Sequence, residues 1–243
     1  MTSPAHDSAL VREATGRLLA ATAALGDADV AEPSLLPGWT RGHVLAHLAR
    51  NADALVEVLG GRPMYADGET RDADIERGAA RPLAAHLDDL RHSSARLDGA
   101  FAAQRDAVTG AATPAAADWD RAVELRNGVR DTAASLPFRR WIEIELHHVD
   151  LGIGYGLQDL PDAFVGRELA NLAARFRGHP EIPLPLELRA EGGGHWETGA
   201  TDAPGGEPFV ITGSAVALVG WLTGRTPGTG LSASGPLPTL PPL

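Results

Sequence analysis

The stretch Leu136-Pro137-Phe138-Arg139-Arg140-Trp141-Ile142-Glu143-Ile144-Glu145-Leu146-His147-His148-Val149-Asp150-Leu151 constrains this chain more than any other. It reads as one short helix: Ser135 is placed to cap it, Pro137 suits a first turn that needs no amide donor, and Gly152 and Gly154 sit where a helix stops. At about 100° per residue, Glu143, His147 and Asp150 share one narrow strip. Ile144 and Leu151 flank it on one side, Ile142, Leu146 and Val149 on the other. A polar strip between apolar walls points inward, and burying a carboxylate beside an imidazole is costly unless something pairs with both. A bound cation supplies that pairing. Glu145 and His148 fall on the far side with Trp141 and rank second. Taken alone, Glu143 and His147 also fit an ordinary i,i+4 pair on a helix surface, so the metal reading needs a third ligand from elsewhere.

Three earlier segments repeat at helical spacing. Val11, Thr15, Leu18, Leu19, Thr22 and Leu25 predict a helix from about Ser8 to Leu25, followed by a loop over Gly26 to Gly38 that contains Pro33 and Pro37. Thr40 then caps a second helix running to Leu59, stopped by Gly60-Gly61 and Pro63, with Val44, Leu48, Leu55 and Leu59 on its buried face. His47 lies at the edge of that face beside Asn51 and Val58, and His43 lies a step nearer solvent. His47 is therefore the inward candidate, although a lone histidine there also reads as an ordinary core residue. A polar loop carrying Tyr65, Arg71 and Asp72 leads to a short helical piece around Ile75. Arg81-Pro82 then opens a third helix with Leu83, Leu87, Leu90, Leu97, Phe101 and Val108. Pro82 places Arg81 at an irregular junction, either facing a cleft or solvated on the surface. Gly110 to Ala117 reads as linker, and Trp119 to Thr132, around Asn127-Gly128, as a hairpin or an excursion between helices. With the stretch at 136–151 the amphipathic helices number four, which predicts a bundle.

Beyond Gly156 the texture changes. One more amphipathic helix spans Leu160 to Arg177, and Leu184 to Ala190 then alternates with period two. Gly192-Gly193-Gly194 turns the chain, His195 to Thr198 resumes a strand, and Phe209 to Gly213 reads as another. A helix from Ser214 to Gly224 follows, and the Pro/Gly-rich tail from Thr226 reads as coil. The expected fold class is α+β, a helical bundle over residues 1–156 followed by a small α/β domain over 157–243.

Composition narrows the function. At 243 residues, 44% hydrophobic and 22% charged, the chain suits two modest globular domains, and no apolar run approaches the roughly 20 residues that cross a bilayer. The start, Met1 to Asp7, is polar and acidic rather than basic and then apolar, so the cytoplasm is the expected location and a monomer the expected state. A net charge of -11 argues against nucleic acid or an anionic membrane as partner, and an anionic substrate would need arginines gathered locally. With no cysteine, thiol chemistry must come from a small molecule. His47, Glu143 and His147 together make the two-histidine, one-carboxylate set that holds a catalytic zinc with one position open.

Pro37-Gly38-Trp39-Thr40-Arg41-Gly42-His43-Val44-Leu45-Ala46-His47-Leu48-Ala49-Arg50-Asn51-Ala52-Asp53, with Arg140-x-x-Glu143-x-x-x-His147-His148-Val149-Asp150-Leu151-Gly152, resembles the mycothiol-dependent maleylpyruvate isomerase family, a branch of the DinB-like metalloenzymes. The resemblance extends through Arg71 to Glu76, Gly78 to Arg81 and the looser Gly220-Trp221-Leu222-Thr223-Gly224-Arg225. It implies a DinB-like four-helix bundle with a divalent metal, expected to be zinc, on His47, Glu143 and His147. It also implies Arg81 and Arg225 acting on the substrate, with Arg77 the alternative to Arg81, and Asp150 steering a ligand. The implied reaction uses metal-bound mycothiol as a thiolate that adds to the cis double bond of maleylpyruvate. Rotation and expulsion of the thiol then leave fumarylpyruvate. Two other readings remain open at this point: a mycothiol S-transferase that keeps the thiol on an electrophile, and a non-catalytic binding module.

Overall fold

The computed structural model describes residues 3–65, 67–104, 118–201 and 207–242, and the chain divides into two compact units, Met1–Tyr155 and Gly156–Leu243. In the first unit, α1 (Pro4–Thr22), α3 (Arg41–Leu59), α5 (Leu83–Ala102) and α6 (Leu136–Asp150) form the bundle, with α2 (Asp27–Val30) and α4 (Gly68–Ala79) in its connections. Helix α1 packs against α5 and α6, and α3 packs against the same two. The apolar repeat in each helix supplies the core: Val11 and Leu18, Val44, Leu48 and Leu55, Leu90 and Leu97, and Leu136 and Ile144 are all buried. Each such side chain removed from water contributes about 1.5–3 kcal/mol, so the repeat alone accounts for most of what fixes the helices face to face.

Several expectations need correction. The loop over 26–38 contains α2, a single turn that Gly26 opens by donating its N–H to Asp29 at 2.7 Å; four residues are too few to show a periodicity. The short piece around Ile75 is the full helix α4, begun by Asp67, whose carboxylate accepts from the Thr70 N–H at 2.6 Å. Ser135 does not cap α6: it already has helical angles, and its hydroxyl donates to the Thr132 carbonyl at 2.9 Å. Trp119 to Thr132 resolves as a hairpin, β1 (Ala122–Glu124) antiparallel to β2 (Arg130–Thr132), and both Asn127 and Gly128 take positive φ in its turn. Val108 and the linker at Gly110 to Ala117 lie outside the described residues.

The second unit holds α7 (Asp162–Phe176), α8 (Ala215–Leu222) and a sheet ordered β4-β3-β5-β6. Strand β3 (Pro185–Ala190) runs antiparallel to β4 (His195–Gly199) and parallel to β5 (Phe209–Gly213), with Leu188 opposite Ile211. The alternation read from sequence holds within the strand, where Leu186 and Leu188 are buried, as are Phe164, Leu172 and Leu218 of the helices, whereas Leu184 precedes the strand and is exposed. The tail is not all coil: Ser232–Ala233 forms β6 on β5. The arrangement is α+β, and among the described residues no helix is long and apolar enough to cross a membrane.

Candidate metal centre

Two packed helices and a third element bring the site together. Helix α3 carries His47 on the side facing α6, which carries Glu143 and His147 one turn apart. Helix α4 lies against α3 beside them because two glycines let the backbones approach. A Cβ on Gly42 would sit 2.1 Å from the Ala79 carbonyl oxygen, and one on Gly78 would sit 2.9 Å from the Ala46 Cβ. That contact delivers Arg71, on the same face of α4 as buried Ile75 and Gly78, to His47.

His47 Nε2 lies 2.9 Å from Glu143 Oε2, and His147 Nε2 lies 3.3 Å from the same oxygen. The three ligand atoms fall within 4.8 Å of one another, and the imidazoles meet edge to face at 4.7 Å. A tetrahedral ion with bonds of about 2.0–2.1 Å holds its ligand atoms about 3.3–3.4 Å apart, close to the 2.9 and 3.3 Å that separate the two imidazole nitrogens from Glu143 Oε2. The Glu143 side chain is 32% exposed and those of His47 and His147 are 8% and 16%, so the cluster is open on one side.

The hydrogen bonds around the cluster define its charge. His147 Nδ1–H donates to Asp150 Oδ2 at 2.8 Å, which leaves a neutral ring with its Nε2 lone pair aimed at a carboxylate oxygen. That arrangement is repulsive until a proton or a metal ion stands between the two. Burial lowers the His147 pKa, but the bonds to Asp150 and Glu143 outweigh burial and hold it above the usual value. Burial raises the Glu143 pKa, yet the two imidazoles outweigh it and hold the carboxyl well below the usual range. For His47 burial wins over the bond to Glu143, and its pKa falls. Neutral His47 accepts from Arg71 Nη2 at Nδ1, 3.3 Å away, and therefore keeps its proton on Nε2, donated to Glu143.

The other residues singled out from sequence are placed elsewhere. His43 is held by Thr40 and Glu76. Glu145 and His148 are not on a solvent face, because α1 covers the side of α6 turned away from α3. Glu145 accepts from Arg17 at 2.5 Å, Trp141 at 2.8 Å and Tyr155 at 2.6 Å, and His148 stacks on Tyr155 at 4.0 Å. Arg81 donates to the Gly78 carbonyl and to Asp89 at 2.7 Å, and Asp89 also takes Arg50. Arg77 pairs with Asp74 on the surface. Arg225 lies in the second unit just past α8 and donates to the Thr223 carbonyl at 3.2 Å. Sequence reasoning assigned no role to Arg71 or to Tyr65, whose ring lies 5.8 Å from the Arg71 guanidinium carbon. The spacing of Arg71, Ile75 and Gly78 on one helical face was the available signal. Tyr65 also borders a cavity of about 560 Å³ between the end of α3 and the hairpin, lined by Met64, Arg121, Leu125 and Arg126 among others.

Comparison with known proteins bears on this arrangement. Residues 11–152 match the mycothiol maleylpyruvate isomerase N-terminal domain, and residues 159–242 match the C-terminal domain of the same family. Among solved structures, the crystal structure of the mycothiol-dependent maleylpyruvate isomerase aligns with a TM-score of 0.83 and 27% identity, covering 100% of this chain and 99% of that one. A histidine-to-alanine mutant of that enzyme aligns at 0.82 and 26%, with the same coverage. No curated protein sequence matches.

Proposed function

This chain belongs to the mycothiol-dependent maleylpyruvate isomerase family, and we propose that it is a metal- and mycothiol-dependent cis-trans isomerase converting maleylpyruvate to fumarylpyruvate. The observation that carries the reading is the convergence of His47, Glu143 and His147, with two imidazole nitrogens 2.9 and 3.3 Å from one carboxylate oxygen and one side of the cluster open. These three residues would hold a divalent ion, and zinc suits two nitrogen donors with one oxygen. Bound there, such an ion supplies a positive centre that lowers the pKa of a coordinated thiol, so that mycothiol reacts as its thiolate near neutral pH. Reversible addition of the thiol across the cis double bond, rotation and elimination would return the thiol unchanged.

The chain's own residues then bind and orient. His147 is already in the tautomer a ligand needs, because Asp150 holds its Nδ1 proton. His47 is not: as a ligand through Nε2 it carries its proton on Nδ1, which can no longer accept from Arg71. Losing that bond would leave the Arg71 guanidinium, still paired with Asp72, with an unused N–H that suits a substrate carboxylate. Arg81 and Arg225 are the other proposed substrate anchors, Arg81 after exchanging Asp89 for substrate. The cavity beyond Tyr65, about 560 Å³, is of the size that takes a small organic molecule.

The test is turnover of maleylpyruvate by zinc-loaded protein with and without mycothiol. Fumarylpyruvate formed only with mycothiol, at constant thiol concentration, supports isomerisation. A stable thiol conjugate would replace it with S-transfer, and no turnover of the metal-loaded protein would overturn the proposal.

A further inference from the structure

A second cavity, of about 220 Å³, lies between α1 and α5, whereas the metal cluster lies between α3 and α6. Its walls are apolar: Val11 and Leu19 from α1, Leu97 and Phe101 from α5. Five polar side chains also line it, and three of them have a buried atom without a hydrogen-bond partner among the described residues: Thr15 Oγ1, Ser94 Oγ and Arg140 Nη2. Thr15 is 7% exposed and Arg140 is fully buried.

These vacancies are specific. A buried hydroxyl in a helix ordinarily donates to the carbonyl of the preceding turn, as Thr22 does to Leu18 at 2.8 Å and Thr223 to Val219 at 2.7 Å. Thr15 makes no such bond. Arg140 turns Nη1 to α3, donating to the Leu48 carbonyl at 2.9 Å and Asn51 Oδ1 at 2.7 Å, and leaves Nη2 unused. Among the described residues no carboxylate pairs with this buried guanidinium, and burial lowers its pKa to about 10 even with Glu143 nearby, so it remains a cation at neutral pH. The three unused groups can all donate. A cavity offering three donors, one of them charged, and otherwise apolar walls is complementary to a carboxylate attached to a small hydrocarbon body. Its size agrees, since a cavity of about 150 Å³ already admits benzene. The other charges at the cavity are Arg12 and Asp98, paired with each other at 2.8 Å and largely exposed, so they neutralise one another at the mouth and are free to separate.

We propose that the α1–α5 cavity is a binding site for a small amphiphilic monocarboxylate, whose anionic end is held by Arg140, Thr15 and Ser94 and whose body packs on Val11, Leu97 and Phe101. This site does not rest on the reaction proposed for the metal centre.

Hexanoate is the probe, titrated by calorimetry and amide-resolved NMR into the full chain treated with EDTA, so that a metal-bound carboxylate cannot contribute. Binding is expected to saturate at one site with a dissociation constant on the order of 1 mM, as suits so few atoms. Shifts should be confined to residues around Thr15, Ser94 and Arg140. Hexan-1-ol, of similar shape but uncharged, is expected to bind at least about tenfold more weakly, and Thr15→Val, which keeps the shape and removes the donor, to weaken hexanoate by about tenfold. Gly16→Leu is the second variant: Gly16 lines the cavity, a Cβ there meets nothing within 4 Å, and leucine favours helix, so the chain keeps its fold while the added side chain plugs the entrance. It is expected to abolish the shifts. Absence of saturable binding to the wild-type chain, equal affinity for the alcohol, or unchanged binding in both variants would each overturn the proposal in favour of a crevice that holds only water.

Discussion

Asp150→Asn tests how helix α6 would orient His147 as a metal ligand. Asp150 is 1% exposed and accepts the His147 Nδ1 proton at 2.8 Å, three residues along the same helix, so the change removes one buried negative charge and little volume. A hydrogen bond to a charged acceptor contributes about 1.5–3 kcal/mol, and a ligand whose supporting carboxylate is lost typically binds its metal about 10–100-fold more weakly; at about 1.4 kcal/mol per factor of ten the two figures describe the same effect. The variant is therefore expected to lose about 10–100-fold in zinc affinity, read by competition with a chromophoric chelator. The metal-free chain supplies an independent readout. The His147 pKa is raised in the folded state, so its protonation stabilises the fold fully below the unfolded value of about 6.5, and that contribution is lost as pH rises through the higher folded value. Asp150→Asn should flatten this segment of the stability profile. Zinc affinity within about twofold of wild type, together with an unchanged profile, would refute the role given to Asp150.

Asp89 joins α5 to Arg50 and Arg81, and although burial raises its pKa, the two arginines outweigh burial and lower it. Its contribution is present above the unfolded pKa of about 3.9 and disappears as pH falls through the lower folded value, so Asp89→Asn should cost about 1–3 kcal/mol at pH 7 in urea unfolding and progressively less below about pH 4. A cost that stays constant down to pH 2 would contradict this. Gly42→Ala places a Cβ 2.1 Å from the Ala79 carbonyl oxygen, so α4 must move off α3. The expected cost is about 1–3 kcal/mol, a fall in melting temperature of about 2–4 °C for each, and an unchanged melting temperature would show that the helices separate freely.

Most of the bundle was legible because long helices with an inward stripe write that stripe into the sequence: α3, α5 and α6 repeat apolar residues at three- and four-residue spacing, and in α1 Thr15 and Thr22 complete the repeat of Val11 and Leu18. The cluster was legible for the same reason, since His47, Glu143 and His147 interrupt such stripes with groups that are costly to bury alone. What failed was non-local. Helix α6 is covered by α1 as well as α3, so a wheel that ranked Glu145 and His148 second on its far side could not show that both are buried. Arg81 read as either cleft-facing or solvated because its partner Asp89 lies two turns into the next helix. Strand β6 is two residues long and exists only through its pairing with β5. Arg71 was visible as a residue and not as a role, because its approach to His47 depends on glycines in α3 and α4 that let the two backbones close together.

The most direct test of the account is the zinc content of the purified chain after equilibrium dialysis against a buffered low concentration of zinc, measured for wild type and for His47→Ala with folding checked by circular dichroism. The arrangement of His47, Glu143 and His147 predicts one ion per wild-type chain and none in the folded variant. No stoichiometric ion in the wild type, or an ion retained undiminished without His47, would contradict it.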